Sequence, residues 1–287
     1  MKIYEALKWA SSFLKEHNRD ENAGEYLLCH RLGMNRTELL MNIRESLSFE
    51  DQKWLREKIH EHAGGMPVQY IIGYEWFYGR KFKVSPDVLI PRPETEELVQ
   101  TVLKMAEAQF PKGMTLKVCD IGTGSGAIAV SLALENIDMD VYAVDISKEA
   151  LAVAKENAKN LSADVHFVNG SFLEPFLGNQ TFDIIVSNPP YITEKELIGL
   201  ETVVKDYEPV LALSGGADGL DCYREIIRQI PQAAASKLIL AFEIGFEQGG
   251  PLSELLTSAF GSRLRSLSVQ KDINGKDRMV FAVIERD

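Results

Sequence analysis

Asp120-Ile121-Gly122-Thr123-Gly124-Ser125-Gly126 stands where the apolar run LKVCDI (116–121) gives way to the helical pattern GAIAVSLALE (126–135). Three glycines at alternate positions let the backbone take angles that a side chain forbids and approach a ligand closely. The helix that follows offers unpaired N–H groups at its start. Outward from this loop the same alternation continues: strand VYAVD (141–145), helix SKEALAVAKENAKN (147–160), strand VHFVN (165–169), strand FDIIVS (182–187), a helix over 218–234 and strand KLILAFEI (237–244). Such alternation predicts an α/β domain, a parallel sheet covered by helices on both faces, with its ligand at the C-terminal ends of the strands. The last stretch, RLRSLSVQKDINGKDRMVFAVIE (263–285), reads as two strands joined by a turn through Asn274-Gly275, so one terminal strand is expected to run antiparallel.

Upstream the pattern differs. Residues 1–65 read as a small helical bundle. Gly64-Gly65 and Pro67 end it, and VQYIIGYEWFYGRKFKVS (68–85) is rich in aromatic and β-branched residues with Gly79-Arg80 at a turn position. We therefore expect a helical domain over 1–65, a β-hairpin linker over 66–90 and the α/β domain over 91–287. The last opens on a helix through RPETEELVQTVLKMAEAQF, with Val99, Val102, Leu103, Ala106 and Phe110 on one face.

The chain has 287 residues, 45% of them hydrophobic, enough for two packed cores. A formal charge of -11 argues against broad neutralisation of phosphates, so stable nucleic-acid binding is not expected. The charged N-terminus lacks a signal-peptide core, and no later run is long enough to span a bilayer, so a cytoplasmic protein without membrane contact is expected. Cys29, Cys119 and Cys222 are odd in number and far apart, and His60 and His62 stand two apart, which points their rings to different helix faces. Neither a disulfide framework nor a metal site is expected.

The spacing of the glycine loop narrows the ligand. A dinucleotide fingerprint is Gly-x-Gly-x-x-Gly, whereas this loop is Gly-x-Gly-x-Gly with an acid, Asp120, two residues before it. An acid there repels a pyrophosphate and suits a cationic ligand end, such as the amino group of S-adenosylmethionine (SAM). Asp145, closing its strand about 20 residues after the last glycine, can accept both hydroxyls of a ribose, or simply cap the helix after Ser147.

A second constellation, Asn188-Pro189-Pro190-Tyr191, follows strand FDIIVS directly. Proline confines the residue before it to extended angles and has no N–H, so Asn188 and Pro189 form a stiff corner with outward carbonyl oxygens. Two acceptors at fixed separation match one –NH2 group. An amide or exocyclic amine is a poor nucleophile because its lone pair is delocalised, and accepting both N–H bonds orients and enriches that lone pair. A sulfonium leaves as a neutral thioether, so a methyl transfer here requires no metal, and positioning of this kind contributes about 7–11 kcal/mol in favourable systems. Tyr191 is expected to lie along the flat amide. Alone, the same four residues could be a rigid turn.

With these motifs the sequence resembles the release factor glutamine methyltransferase family (PrmC/HemK) over nearly its whole length. FYGRKF (77–82), LIPRPETEELV (89–99), YEPVLALSGGADGLDCYREI (207–226), FEIGFEQG (242–249) and DINGKDRMV (272–280) add to the resemblance. It implies a helical substrate-recognition domain, a hairpin linker and a seven-stranded, Rossmann-like SAM-dependent methyltransferase domain. The implied substrates are class I peptide chain release factors, methylated at N5 of the glutamine in a Gly-Gly-Gln loop. By position, Asp120, Gly122, Thr123, Gly124, Ser125, Gly126, Asp145 and Asn188 resemble cofactor contacts. Asn188, Pro189, Pro190 and Tyr191 resemble the glutamine site, with Asn188, Pro189 and Tyr191 in catalytic roles and Phe77 as a pocket wall. One departure is that Asn169-Gly170-Ser171-Phe172 lacks the acid that many relatives place against the adenine amino group. Phe172 can stack on that ring instead, or be a core residue.

The same corner also serves an N6-adenine or N4-cytosine nucleic-acid methyltransferase. Such an enzyme has to pull its base from the stack and hold the backbone, which calls for a basic surface that this chain lacks. A non-catalytic binding protein would show a broken loop or corner, and both are intact.

Overall fold

In a computed structural model, residues 1–199 and 207–285 are described, and the end of the expected α/β domain at 287 lies outside them. They fall into two compact units, a smaller one of Met1–Tyr74, which Tyr207 joins, and a larger one built from 75–199 and 208–285.

The smaller unit is helical: α1 (Ile3–Glu16), α2 (Ala23–Leu32), α3 (Arg36–Met41), α4 (Phe49–Ala63) and α5 (Val68–Ile72). Ile3, Ala6, Ala10 and Leu14 recur at three- and four-residue spacing along α1 and bury one stripe against Leu27 and Leu28 of α2 and Leu55 and Ile59 of α4. Asn35 and Ser48 cap α3 and α4, accepting from the backbone N–H of Glu38 and Asp51. His62 is buried, with its Nδ1 2.7 Å from the Met66 carbonyl oxygen, while His60 is exposed, as the two-residue spacing requires. The segment 68–72 is a helix and not the first half of a hairpin. Pro67 starts it and Gly73, at φ 83°, stops it, so extended chain begins only at Tyr74.

The hairpin proper is β1 (Tyr74–Phe77) and β2 (Arg80–Lys83). Phe77 and Phe82 meet edge to face, 5.9 Å between centroids, inside the larger unit's core. The buried Asn157 side chain receives the N–H of Lys83 and donates to the carbonyls of Lys83 and Ser125, tying the hairpin to the glycine loop.

The larger unit continues with α6 (Pro93–Gln109), β3 (Leu116–Ile121), α7 (Ala127–Glu135), β4 (Met139–Asp145), α8 (Lys148–Leu161), β5 (His166–Asn169) and β6 (Phe182–Ser187). The short α9 (Glu194–Ile198), then α10 (Asp221–Ala233), β7 (Ala234–Glu243), α11 (Gly249–Phe260), β8 (Leu264–Lys271) and β9 (Asp277–Glu285) complete it. Seven strands form one sheet in the order β5-β4-β3-β6-β7-β9-β8. All its pairings are parallel except those of β9, which runs antiparallel between β7 and β8. Strands β3, β6 and β7 are apolar on both faces because separate clusters cover the two sides, one around Phe182, Tyr223 and Phe242 and one around Val99, Ile184 and Phe281. From β3 the chain winds outward to β4 and β5, then returns to β6, so the order reverses between β3 and β6. Connections depart to opposite sides there and leave a crevice at the strands' C-terminal ends.

Candidate active site

A cavity of about 330 Å³ occupies that crevice, in the size range of small-molecule sites of roughly 300–1,000 Å³. One end is the glycine loop. Gly122 and Gly124 have φ of 69° and 54°, angles that suit residues without a Cβ, and a Cβ on either would meet no protein atom within 4 Å. The loop is pinned by the N–H groups of Gly122 and Thr123, which both donate to the Val144 carbonyl at 2.9 and 3.1 Å. Asp145 forms the wall beside it. Its Oδ2 accepts the Gly124 N–H and its Oδ1 the Ser147 N–H, both at 2.9 Å, leaving further lone pairs for a ligand. Burial pushes its carboxyl up, against the pull of those backbone donors.

The other end is the corner after β6. The Ser187 hydroxyl donates to the Ile121 carbonyl at 2.7 Å, fastening β6 to β3 just before Asn188. Asn188, Pro189 and Pro190 line the cavity, as do Gly122, Thr123, Gly124, Ser125, Asp145 and Phe172. Phe172 sits at φ 49° between Ser171, also on the wall, and the core. Asn169, where an acid was missed, donates its amide to the carbonyls of Asp145 and Ile146 and so joins the ends of β4 and β5.

Four expected residues do not line the cavity. Asp120 is fully buried under the loop, where Oδ2 accepts the Thr123 hydroxyl at 2.6 Å and the Ala129 N–H at 3.2 Å. Burial pushes its carboxyl up to about 7. Gly126 starts α7 at φ 82°, and a Cβ there would lie 3.1 Å from the Ala154 Cβ, so its smallness serves the approach of α8. Phe77 has no exposed surface and belongs to the core. Tyr191 is half-buried and packs against the core, its hydroxyl beside Arg278 and Glu243, and burial pushes its pKa to about 12.

The motifs GGADG and FEIGFEQ, which the sequence placed only within the family resemblance, brace the corner from behind. A Cβ on Gly215 would come 2.7 Å from the Tyr191 Cα, and one on Gly219 would come 2.4 Å from the Tyr191 carbonyl oxygen. Gln248 donates to the carbonyls of Tyr191 and Gly219 at 2.9 and 3.1 Å.

A model of the PrmC N-terminal domain matches residues 5–73, and a model of the methyltransferase small domain matches residues 98–215. The release factor glutamine methyltransferase of Bacillus cereus is 56% identical over 99% of this chain and 100% of its own length. The Bacillus subtilis enzyme of the same name is 49% identical over 99% of both chains. This chain belongs to the release factor glutamine methyltransferase family. It is an enzyme whose methyl donor is SAM. Among solved structures the hMettl16 catalytic domain, determined in complex with the MAT2A 3'UTR hairpin 6, shares the fold of 73% of this chain and 77% of its own at TM-score 0.56 and 17% identity.

The cavity fits a methyltransferase cofactor on its own chemistry: an open cradle over Gly122 and Gly124, a carboxylate at Asp145 and an aromatic ring at Phe172. Reading motifs alone missed the wall supplied by α6. Arg92 stands at its N-terminus with its guanidinium 2.6 Å from the buried Glu208 carboxylate, whose pKa burial raises and Arg92 pulls back. Thr95, one turn in, is buried and 3.4 Å from the Asn188 amide nitrogen. The signal was present in PRPETEELV, where an N-terminal proline and three acids mark a helix start, but its position over the crevice depends on the packing of α6 on β7.

Proposed function

We propose that this enzyme methylates N5 of the glutamine in the Gly-Gly-Gln loop of class I peptide chain release factors. The observation that carries the reading is the cavity itself, with the glycine loop and Asp145 at one end and the Asn188-Pro189 corner at the other. SAM, when bound, supplies a methyl group on a positively charged sulfur. Gly122 and Gly124 would admit it against the backbone, Asp145 would accept hydroxyls of its ribose and Phe172 would offer its ring to the base. Asn188 Oδ1 and the Pro189 carbonyl would accept the two N–H bonds of the glutamine amide and orient its lone pair; the nitrogen would gain the methyl as the methyl's bond to sulfur breaks, leaving a neutral thioether, and the displaced N–H proton would pass to solvent water. Asp120 supports the loop through Thr123 and Ala129, and Tyr191 supports the corner. Helices α1–α4 form the docking domain for the release factor.

The test is incubation of the purified enzyme with labelled SAM and a release factor, its Gly-Gly-Ala variant, or DNA, followed by peptide mass spectrometry. One methyl on the loop glutamine, and none on the variant or on DNA, is expected. Label on DNA would mean that the corner holds a base amine instead.

A further inference from the structure

Asn188 serves as an acceptor only if its amide oxygen faces the cavity, yet the two ends of an amide are alike in shape. What breaks the tie lies behind it. The Thr95 hydroxyl donates to Glu243 Oε2 at 2.6 Å, and Asn188 Nδ2 donates to Thr95 Oγ1 at 3.4 Å. A hydroxyl has one proton, and an ionised carboxylate only accepts. Thr95 therefore gives its proton to Glu243 and can only receive one from Asn188, whose amide also faces the Glu243 carboxylate directly; both contacts hold Nδ2 inward and Oδ1 toward the substrate. We propose that Glu243, acting on the Asn188 amide both through Thr95 and directly, is a positioning residue that sets which end of that amide meets the substrate. This rests on the reading of Asn188 as the acceptor of an –NH2 group and adds the group that controls it.

Glu243 ends β7 with 2% of its surface exposed. Arg278 faces it from β9, held in turn by Asp272 at 3.0 Å. Glu94 and Thr95 face it from α6, Tyr191 and Asn188 from the corner, and Tyr223 of α10 donates to its backbone carbonyl at 2.7 Å. Burial, the largest effect, lifts the carboxyl to about 7, while Thr95, Arg278 and Asn188 favour its ionised form and Glu94 opposes it. Once protonated, Glu243 can donate to Thr95. Thr95 is then free to donate to Asn188, and the amide gains by turning over, which offers a donor to a substrate that also donates. Turnover is therefore present with Glu243 ionised and is lost as pH falls through about 7.

The test is kcat and KM for a release factor between about pH 5.5 and 9 in the wild type, Glu243→Gln, Thr95→Val and Thr95→Ser, with SAM affinity and thermal midpoint measured alongside. The wild type should show an acid limb near neutrality. In Glu243→Gln that limb should vanish and kcat fall at least about tenfold, with SAM affinity and midpoint kept. Thr95→Ser, which restores the hydroxyl, should be at least about tenfold more active than Thr95→Val. An acid limb that survives in Glu243→Gln, or Ser and Val variants equally impaired, overturns the relay. Should Glu243→Gln fail to fold, the Thr95 pair decides. A wild type that methylates no release factor removes the substrate reading, and the relay falls with it. An active wild type with an unchanged limb in Glu243→Gln sinks the relay alone.

Discussion

Asn188 and Asp145 stand at opposite ends of one cavity and should fail differently. If Asn188 accepts from the substrate amide as proposed, removing it takes away a hydrogen bond whose value is greatest in the transition state, so Asn188→Ala is expected to lower kcat about a hundredfold or more and leave SAM affinity nearly unchanged. Asp145→Ala is expected to weaken SAM binding first, because its carboxylate lines the cavity and also holds the Gly124 and Ser147 backbone. Calorimetry beside single-turnover rates separates the two, and equal losses in both quantities for Asn188→Ala would refute its proposed role. At this scale the sequence was informative about residue type and poor about direction. Asp120 and Tyr191 lie within the right motifs, but Asp120 is fully buried beneath the loop and Tyr191 packs against the core, so neither lines the cavity. Nothing in four consecutive letters says which face is the wet one.

Among the elements, the turn from β3 into α7 carries two kinds of glycine. Gly124 needs its positive φ and looks onto open space, whereas Gly126 needs a positive φ and also a bare Cα against Ala154 of α8. Gly124→Ala is expected to cost about 1–2 kcal/mol of stability from backbone strain and to weaken SAM binding by intruding on the cradle. Gly126→Ala is expected to cost more stability, since contact with α8 adds to the same strain, and to affect SAM binding less directly. Urea unfolding together with SAM titration checks both, and a Gly126 variant as stable as the Gly124 variant would contradict the packing account. The periodicities of α6, α7, α8 and β3 through β7 were legible from the alternation of apolar residues. Helix α5 was not, because Val68–Ile72 is β-branched and aromatic in composition and is helical only between Pro67 and Gly73.

For the molecule as a whole, the charge of -11 bears on the choice of partner. A protein that grips six to ten phosphates loses about 10³–10⁵ in affinity between 50 and 200 mM salt. Transfer to a release factor is expected to change by less than about tenfold over that range, and a phosphate-like slope in kcat/KM would point back to a nucleic acid substrate. Among the described residues no helix is long and apolar enough to cross a membrane. By itself the sequence determined the alternation of strands and helices in the α/β domain, the glycine loop, the proline corner and the likeness to one enzyme family, because each is written in neighbouring residues whose backbone angles and polarity follow from their own side chains. Only the tertiary structure decided which of those residues reach the cavity. Thr95, Asn188 and Glu243 come from α6, the β6 corner and the end of β7, as far apart as 148 positions, and they meet because a parallel sheet brings the C-terminal ends of its strands to one edge and packs α6 across them.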